Sequence, residues 1–292
     1  MYLDRFQLHT SPFENTPDPH FFYASEQHRE ALAAIEYTVR LRKGIVLITG
    51  GIGTGKTTVG RTMLQQFSPS TTIAQILHGH QSSNELIHHV ARSLNLKIYA
   101  DDDHAMCLEK VRRFLLERAA HGKPVVLFID EAQTLSDEAL EEIRLISNFD
   151  TCTEKLMQLI LIGQPELRDR ISQTHMDALR QRIVLSKELQ PLTFLDLQHY
   201  IDHRIKTASI DAENPAVSFD ESATKHIYRF SQGIPRLINV ACDNALLVAF
   251  VKGKNLINSD IVQQVICDMI PSLVPYDKTH IERTPYKMAG NF

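Results

Sequence analysis

At 292 residues with 43% apolar content, the chain can fill one large and one smaller hydrophobic core. Its formal charge of −4 denies it the overall basic footprint of an indiscriminate nucleic-acid binder and leaves room only for a local basic patch. Cys107, Cys152, Cys242 and Cys267 stand without CxxC spacing, as expected of reduced thiols in a cytoplasmic protein rather than disulfides or a zinc site.

The first 24 residues are dense in Phe, Tyr and Pro, with Pro17-Asp18-Pro19 followed by Phe21-Phe22-Tyr23, and read as an ordered loop or arm, because closely spaced prolines block regular helix. No basic start and apolar run precedes them as in a signal peptide. Ser25 is placed to cap a helix with Leu32, Ile35 and Val39 on one face, closed by Gly44. Ile45 to Ile48 is a strand apolar on both faces; helical spacing of Val59, Met63 and Phe67 follows, then a strand from Thr71 to Leu77. Ser82-Ser83-Asn84-Glu85 has the form of a capping box for a helix carrying Leu86, Val90 and Leu94. Leu108, Val111 and Leu115 mark another helix, Val125 to Ile129 a strand, Asp137 to Phe149 a helix, and Leu156 to Ile162 a further strand. Strands alternating with helices predict a doubly wound parallel sheet covered on both faces over residues 25–190. From Pro191 the pattern becomes four helices, near 194–208, 220–232, 235–252 and 259–269, with no strand-like run between them. Asp220 and Ser259 are the expected N-caps, and a small helical domain over 191–270 is the natural reading. Pro271, Pro275 and Pro285 give 271–292 the composition of a linker-like tail. Apolar stretches such as Ala245 to Val251 fall far short of the roughly 20 residues that cross a bilayer, so a soluble chain is expected.

The chemistry gathers at the strand ends. The first strand empties into Gly50-Gly51-Ile52-Gly53-Thr54-Gly55-Lys56-Thr57-Thr58, which fits the P-loop pattern, whereas the dinucleotide fingerprint fails because Lys56 stands where its last glycine belongs. Glycines let successive N–H groups turn toward an anion, Lys56 reaches β- and γ-phosphates, Thr57 can ligate Mg²⁺, and the next helix adds its positive end. Val125 to Ile129 ends in Asp130-Glu131, so Asp130 can hold Mg²⁺ through water and Glu131 can polarise the water that attacks a γ-phosphate. An acid pair favours hydrolysis over transfer to an acceptor. Leu159 to Ile162 ends in Gly163-Gln164, which makes Gln164 a sensor candidate or an ordinary loop residue. Arg180 and Arg182 are either solvated or offer an arginine finger to a neighbouring subunit. Arg236, in Gly233-Ile234-Pro235-Arg236, can swing toward the nucleotide when the helical domain closes. Phe22 and Tyr23 suit an adenine pocket or a plain core equally well. His78-Gly79-His80 and His88-His89 lack a third ligand at metal-binding spacing and read as solvated or capping residues.

Taken together, the chain resembles the AAA+ ATPases of the ExeA/GspA type, with their MshM-like pilus-biogenesis relatives, over roughly residues 1–270. The resemblance rests on His28-Arg29-Glu30-Ala31-Leu32, the P-loop, Ile129-Asp130-Glu131-Ala132-Gln133, Gly163-Gln164-Pro165-Glu166-Leu167, Leu179-Arg180-Gln181-Arg182-Ile183 and Gly233-Ile234-Pro235-Arg236. It implies Walker A at Lys56 and Thr57, Walker B at Asp130 and Glu131, sensor 1 at Gln164, sensor 2 at Arg236, and a finger at Arg180 or Arg182. ATP and Mg²⁺ are then the expected ligands, and a homo-oligomeric ring or filament the expected assembly. Its partner would belong to a secretion or pilus machine, and its place would be the cytoplasm or the cytoplasmic face of the inner membrane. Gln7-Leu8 stands where many relatives have Gly-Leu. Secretion-type relatives usually continue into a membrane anchor and a periplasmic region, whereas this chain ends in a short proline-bearing tail. A similar core occurs in TniB/TnsC-type regulators of transposition, which need no anchor and would make duplex DNA the partner.

Overall fold

Strands apolar on both faces can be buried only if helices cover both sides, and the computed structural model, which describes residues 1–77, 83–152 and 154–273, has that arrangement. In chain order the first elements are α1 (Tyr2–Arg5), a 3₁₀ turn at Pro19–Phe21, α2 (Glu26–Arg40), β1 (Ile45–Gly50), α3 (Lys56–Gln66), β2 (Thr72–Ile76), α4 (Ser83–Ser93) and α5 (His104–Ala120). Next come β3 (Val125–Ile129), a 3₁₀ turn at Ala132–Thr134, α6 (Asp137–Ile146), β4 (Gln158–Gly163), α7 (Pro165–Ile171), α8 (Asp177–Arg180) and β5 (Ile183–Leu189). The remainder is α9 (Phe194–Ala208), β6 (Ser218–Phe219), α10 (Glu221–Ser231), α11 (Pro235–Val251), β7 (Leu256–Ile257) and α12 (Ser259–Leu273).

The main sheet is parallel in the order β2-β3-β4-β1-β5. Because side chains alternate along a strand, each central strand feeds two cores. Ile45, Leu47, Leu127, Ile129, Leu159 and Leu161 pack with residues of α4, α5 and α6, while Val46, Ile48, Val126, Phe128, Ile160 and Ile162 pack with α2 and α3. The register pairs Thr49 with Gly163 and Gly50 with Leu189, so β1, β4 and β5 run out side by side at the carboxyl edge, and β3 ends one strand away.

Three expectations change. The region after Pro191 is not wholly helical, because β6 and β7 form a short parallel pair; two residues each are too brief for a period-2 signal to register. Residues 1–24 open with a helical turn at Tyr2–Arg5, upstream of the proline-rich part, and they do not stand apart: Phe6, Leu8, Phe13 and Phe21 share one buried cluster with α9 to α12. The last helix continues through Pro271 to Leu273, so the linker-like reading from residue 271 fails for its first three positions, and 274–292 lie outside the described residues. Caps also shift. Ser25 makes no cap bond to the backbone, Asp220 caps α10 through Ala223 N at 2.7 Å, and Asn258 rather than Ser259 accepts the N–H of Ile261 at 3.3 Å. Ser82, the first residue of the expected capping box, lies outside the described residues. No described helix is long and apolar enough to cross a membrane.

The P-loop helix is pressed onto the sheet at Gly60. A Cβ added there would meet the Phe128 ring at 2.6 Å and Ile162 Cδ1 at 2.7 Å. Gly60→Ala gains up to about 1 kcal/mol of helix propensity, but overpacking against a buried ring costs roughly 1–3 kcal/mol. A lower urea midpoint at unchanged m-value is therefore expected, and a midpoint at or above wild type would show that the contact gives way freely.

Candidate functional site

A cavity of about 380 Å³ opens where the carboxyl edge meets the helical part and the N-terminal segment. Its floor is the P-loop. Gly53 and Gly55 take φ of 79° and 94°, and Gly55 lets the chain turn directly into α3 with Lys56 as its first residue. A Cβ on Gly53 would also strike Arg236 Cβ at 2.8 Å, so glycine is required there twice over. The first-turn N–H groups of α3 have no partners within the helix and add positive character.

Two charges here are buried without a full counter-charge. Lys56 is 7% exposed and its Nζ donates only to the carbonyl of Gly51, at 2.8 Å; burial holds its pKa below the usual lysine range, against the opposing pull of Glu131, Asp130 and Glu166. Asp130, 5% exposed, accepts from Thr57 Oγ1 at 2.9 Å and from Glu131 N at 2.9 Å, yet burial still raises its pKa. A desolvated ammonium held by one carbonyl, beside a desolvated carboxylate paired to a hydroxyl, is a set of groups whose chemistry fits a polyphosphate with a divalent metal.

Glu131 lines the cavity in a left-handed conformation, φ 52° and ψ 36°, that aims it off the end of β3. Gln133 Nε2 donates to its Oε2 at 2.6 Å. Gln164 lines the same wall and its backbone N donates to Gln133 Oε1 at 3.0 Å. From the opposite side Arg236, in the first turn of α11, lines the cavity and donates its backbone N–H to Gly53 O at 3.3 Å.

Of the residues singled out from sequence, Ile52, Gly53, Gly55, Lys56, Thr57, Thr58, Glu131, Gln164, Arg236, Phe22 and Tyr23 all line this cavity. Gly50, Gly51 and Thr54 shape the loop beneath it, with Thr54 Oγ1 donating to Gly51 O at 2.9 Å. Asp130 faces an adjoining groove with Arg61 and Pro19 and touches the site through Thr57. Arg180 and Arg182 are not brought in. Arg180 pairs with Asp177 at 2.8 Å on the exposed surface, and Arg182 is half-buried and lowers the pKa of Asp150, behind the dominant Lys155 contact. His88 donates Nε2–H to the carbonyl of Asp102 at 3.3 Å, while His78 and His80 lie outside the described residues.

Sequence reasoning missed three contributors. His28 sits beneath Phe22, ring edge to face at 5.6 Å; its Nε2 faces the Thr54 carbonyl at 3.3 Å and its Nδ1 faces Ser25 Oγ at 2.6 Å. A carbonyl can only accept, so Nε2 carries the proton and Nδ1 accepts from the serine; burial, which lowers the pKa of His28, keeps the ring neutral. Arg204 is 7% exposed and donates to the carbonyls of Pro12 (2.5 Å) and Glu14 (3.0 Å) and to Tyr200 Oη (2.7 Å). Tyr200 Oη donates in turn to Asn239 Oδ1 at 2.7 Å. The network ties the 12–15 segment to α9 and α11 at the cavity wall. A signal existed, since Arg204 sits in register with Leu197, Ile201 and Ala208 on the apolar stripe of α9.

An AAA domain is matched over residues 39–171. The general secretion pathway protein A of Aeromonas hydrophila is 39% identical over 262 residues, covering 89% of this chain and 47% of that protein; the chain thus spans about half the length of this curated relative. Among solved structures, the Aeropyrum pernix ORC2 protein superposes with a TM-score of 0.62 at 15% identity over 90% of this chain and 72% of that one. Cdc6p from Pyrobaculum aerophilum gives 0.63 at 17% over 87% and 69%. At these identities the two structures speak for the fold alone.

Because burial raises the pKa of Asp130, folding favours its protonated form; the favourable contribution exists at low pH and is lost as pH rises through the folded value, so near neutrality the ionised carboxylate costs stability. Asp130→Asn keeps an acceptor for Thr57 and removes the charge, but sets its NH₂ against the Glu131 N–H that Asp130 now accepts. The nucleotide-free variant should still melt higher at pH 7, by about 2–4 °C for each kcal/mol of net relief. A lower Tm would show that the Glu131 N–H bond and the pull of Asp130 on Lys56 outweigh the burial penalty.

Proposed function

We propose that the chain is an AAA+ P-loop ATPase related to general secretion pathway protein A, which binds ATP with Mg²⁺ and hydrolyses it to drive assembly of copies of itself and remodelling of a partner complex in secretion or pilus biogenesis. One observation carries the reading: the buried Lys56 and the Asp130–Thr57 pair lie on the same edge as Glu131, which Gln133 holds, and Gln164. When bound, Mg²⁺ draws charge off the terminal phosphate. Lys56 would release the Gly51 carbonyl and take phosphate oxygens, and the metal would be held by the Thr57 hydroxyl and, through water, by Asp130. Glu131 accepts a proton from the attacking water while Gln164 orients the terminal phosphate. Residues 25–190 form the ATPase core and 191–270 the lid, with the 1–24 segment riding on the lid. Arg236 on α11 reports the nucleotide to that lid, so occupancy is read out as the angle between the two parts. Phe22 and Tyr23 flank the base. Arg180 and Arg182 do not line their own cavity, so a finger role for either is one toward a neighbouring copy. The setting is the cytoplasm, including the cytoplasmic face of the inner membrane.

Lys56→Ala should abolish ATP binding by calorimetry, whereas Glu131→Gln should bind ATP and release phosphate about 100-fold or more slowly, the scale of a lost general base. Wild-type turnover in Glu131→Gln would sink the assignment of the base. Mass measurement with and without ATP checks the assembly, and Arg180→Ala and Arg182→Ala tell the finger from the bystander by which one loses turnover while keeping ATP affinity. Titration with duplex DNA at several salt concentrations is expected to show no ATP-stimulated binding; a steep, salt-dependent isotherm would transfer the assignment to the transposition-regulator type.

A further inference from the structure

Gln133 belongs to the acid-pair block and holds Glu131, and its further contacts single it out. Its carboxamide bridges two residues of the cavity wall, donating Nε2–H to Glu131 Oε2 at 2.6 Å and accepting the backbone N–H of Gln164 at Oε1, 3.0 Å. The amide can sit only this way round, because the flipped form would set NH₂ against N–H and oxygen against carboxylate. The 3₁₀ turn that carries it is fastened independently. Thr134 N and Oγ1 donate to the Glu131 carbonyl at 2.9 and 2.8 Å, and Arg170 Nη1 donates to the carbonyls of Gln133 and Leu135, both at 2.9 Å, while its other nitrogen pairs with Asp137. Gly163 makes the space: a Cβ there would lie 3.1 Å from Gln133 Oε1. Glu131 itself sits in a left-handed backbone conformation that a non-glycine residue keeps only where neighbours hold it.

We propose that Gln133 is a positioning residue for ATP hydrolysis: it fixes Oε2 of Glu131 so that Oε1 is presented to the attacking water, and it locks that carboxylate to the strand end bearing Gln164. This rests on Glu131 being the general base. The water-activating group and the phosphate-sensing group then share one hydrogen-bonded unit, so a shift of the Gln164 backbone moves the base with it. No bond to substrate is made by Gln133, and its loss shows in the rate of the chemical step rather than in binding.

The test uses the full chain, with ATP as the probe and phosphate release as the readout. Gln133→Met, close in shape and unable to make either bond, should lower kcat roughly 10- to 100-fold, the scale of a misplaced catalytic group, with ATP affinity and KM within about twofold of wild type. Gln133→Glu, which keeps the volume and sets a second carboxylate against Glu131, should lose turnover likewise and decides the matter if the Met variant folds poorly. In a Glu131→Gln background, Gln133→Met should cause no further loss, since the two act as one unit. Unchanged kcat in Gln133→Met, or a full independent loss in the Glu131→Gln background, overturns the proposal while leaving ATP hydrolysis standing. Loss of Tm and ATP affinity together with kcat in both variants makes Gln133 a structural residue and also overturns it. Wild-type protein releasing phosphate no faster than Glu131→Gln removes the hydrolysis reading and this one with it.

Discussion

A strand covered on both faces cannot carry charge until it ends. β1, β3 and β4 are buried along their whole lengths, and the first polar groups past them, in the P-loop, at Asp130-Glu131 and at Gln164, fall on one edge because the strands are parallel and in register. That constraint concentrates Lys56, Asp130 and Glu131 at one edge, where Lys56 and Asp130 are buried. Burial lowers the pKa of Lys56 and raises that of Asp130, and a metal-bound polyphosphate would oppose both shifts. The site is a place where the fold tolerates unfavourable electrostatics for the sake of a ligand.

The other wall of the cavity has a different origin. Phe6, Leu8, Phe13 and Phe21 sit in the core of α9 to α12, and a short bridge between Leu8 and Ser209 continues the attachment. Arg204 then ties the 12–15 carbonyls to Tyr200, and Tyr200 to Asn239. A buried guanidinium satisfied by carbonyls and a phenol, with aromatic rings of Phe21 and Tyr200 near 5 Å, holds the segment without a carboxylate partner. One wall of the cavity is thus built from the N-terminal segment with α9 and α11, and the other from the P-loop and the ends of β3 and β4. Arg236 against Gly53 is where the two halves touch at backbone distance.

What could be read in advance divides along these lines. The P-loop, the acid pair, Gln164 and Arg236 were legible because each is a short motif whose chemistry depends on neighbours in sequence, and each sits at the mouth or wall of one cavity. The helices after Pro191 were legible from their 3.6-residue period, while the two-residue strands β6 and β7 carry no period to detect. His28, Arg204 and Asn239 were not assigned, since their partners lie 26, 190 and 225 residues away. Gln133 was visible as a letter in a motif and not as a part of the site, because what gives it meaning is the N–H of Gln164, 31 residues on and one strand over.

The order of the residues alone settles that this chain makes a parallel sheet with a phosphate-binding loop and an acidic strand end, because apolar runs, glycine spacing and charge placement act through local sterics and burial. It settles also that a helical part follows. Which side chains face each other across the cavity, that the first 24 residues are structural members of the helical part, and that Glu131 is gripped by a neighbour tied to the adjacent strand were decided only in three dimensions. The reason is physical: a local preference is a property of a few consecutive residues, whereas a buried charge or amide finds its partner wherever packing happens to leave one within hydrogen-bonding distance.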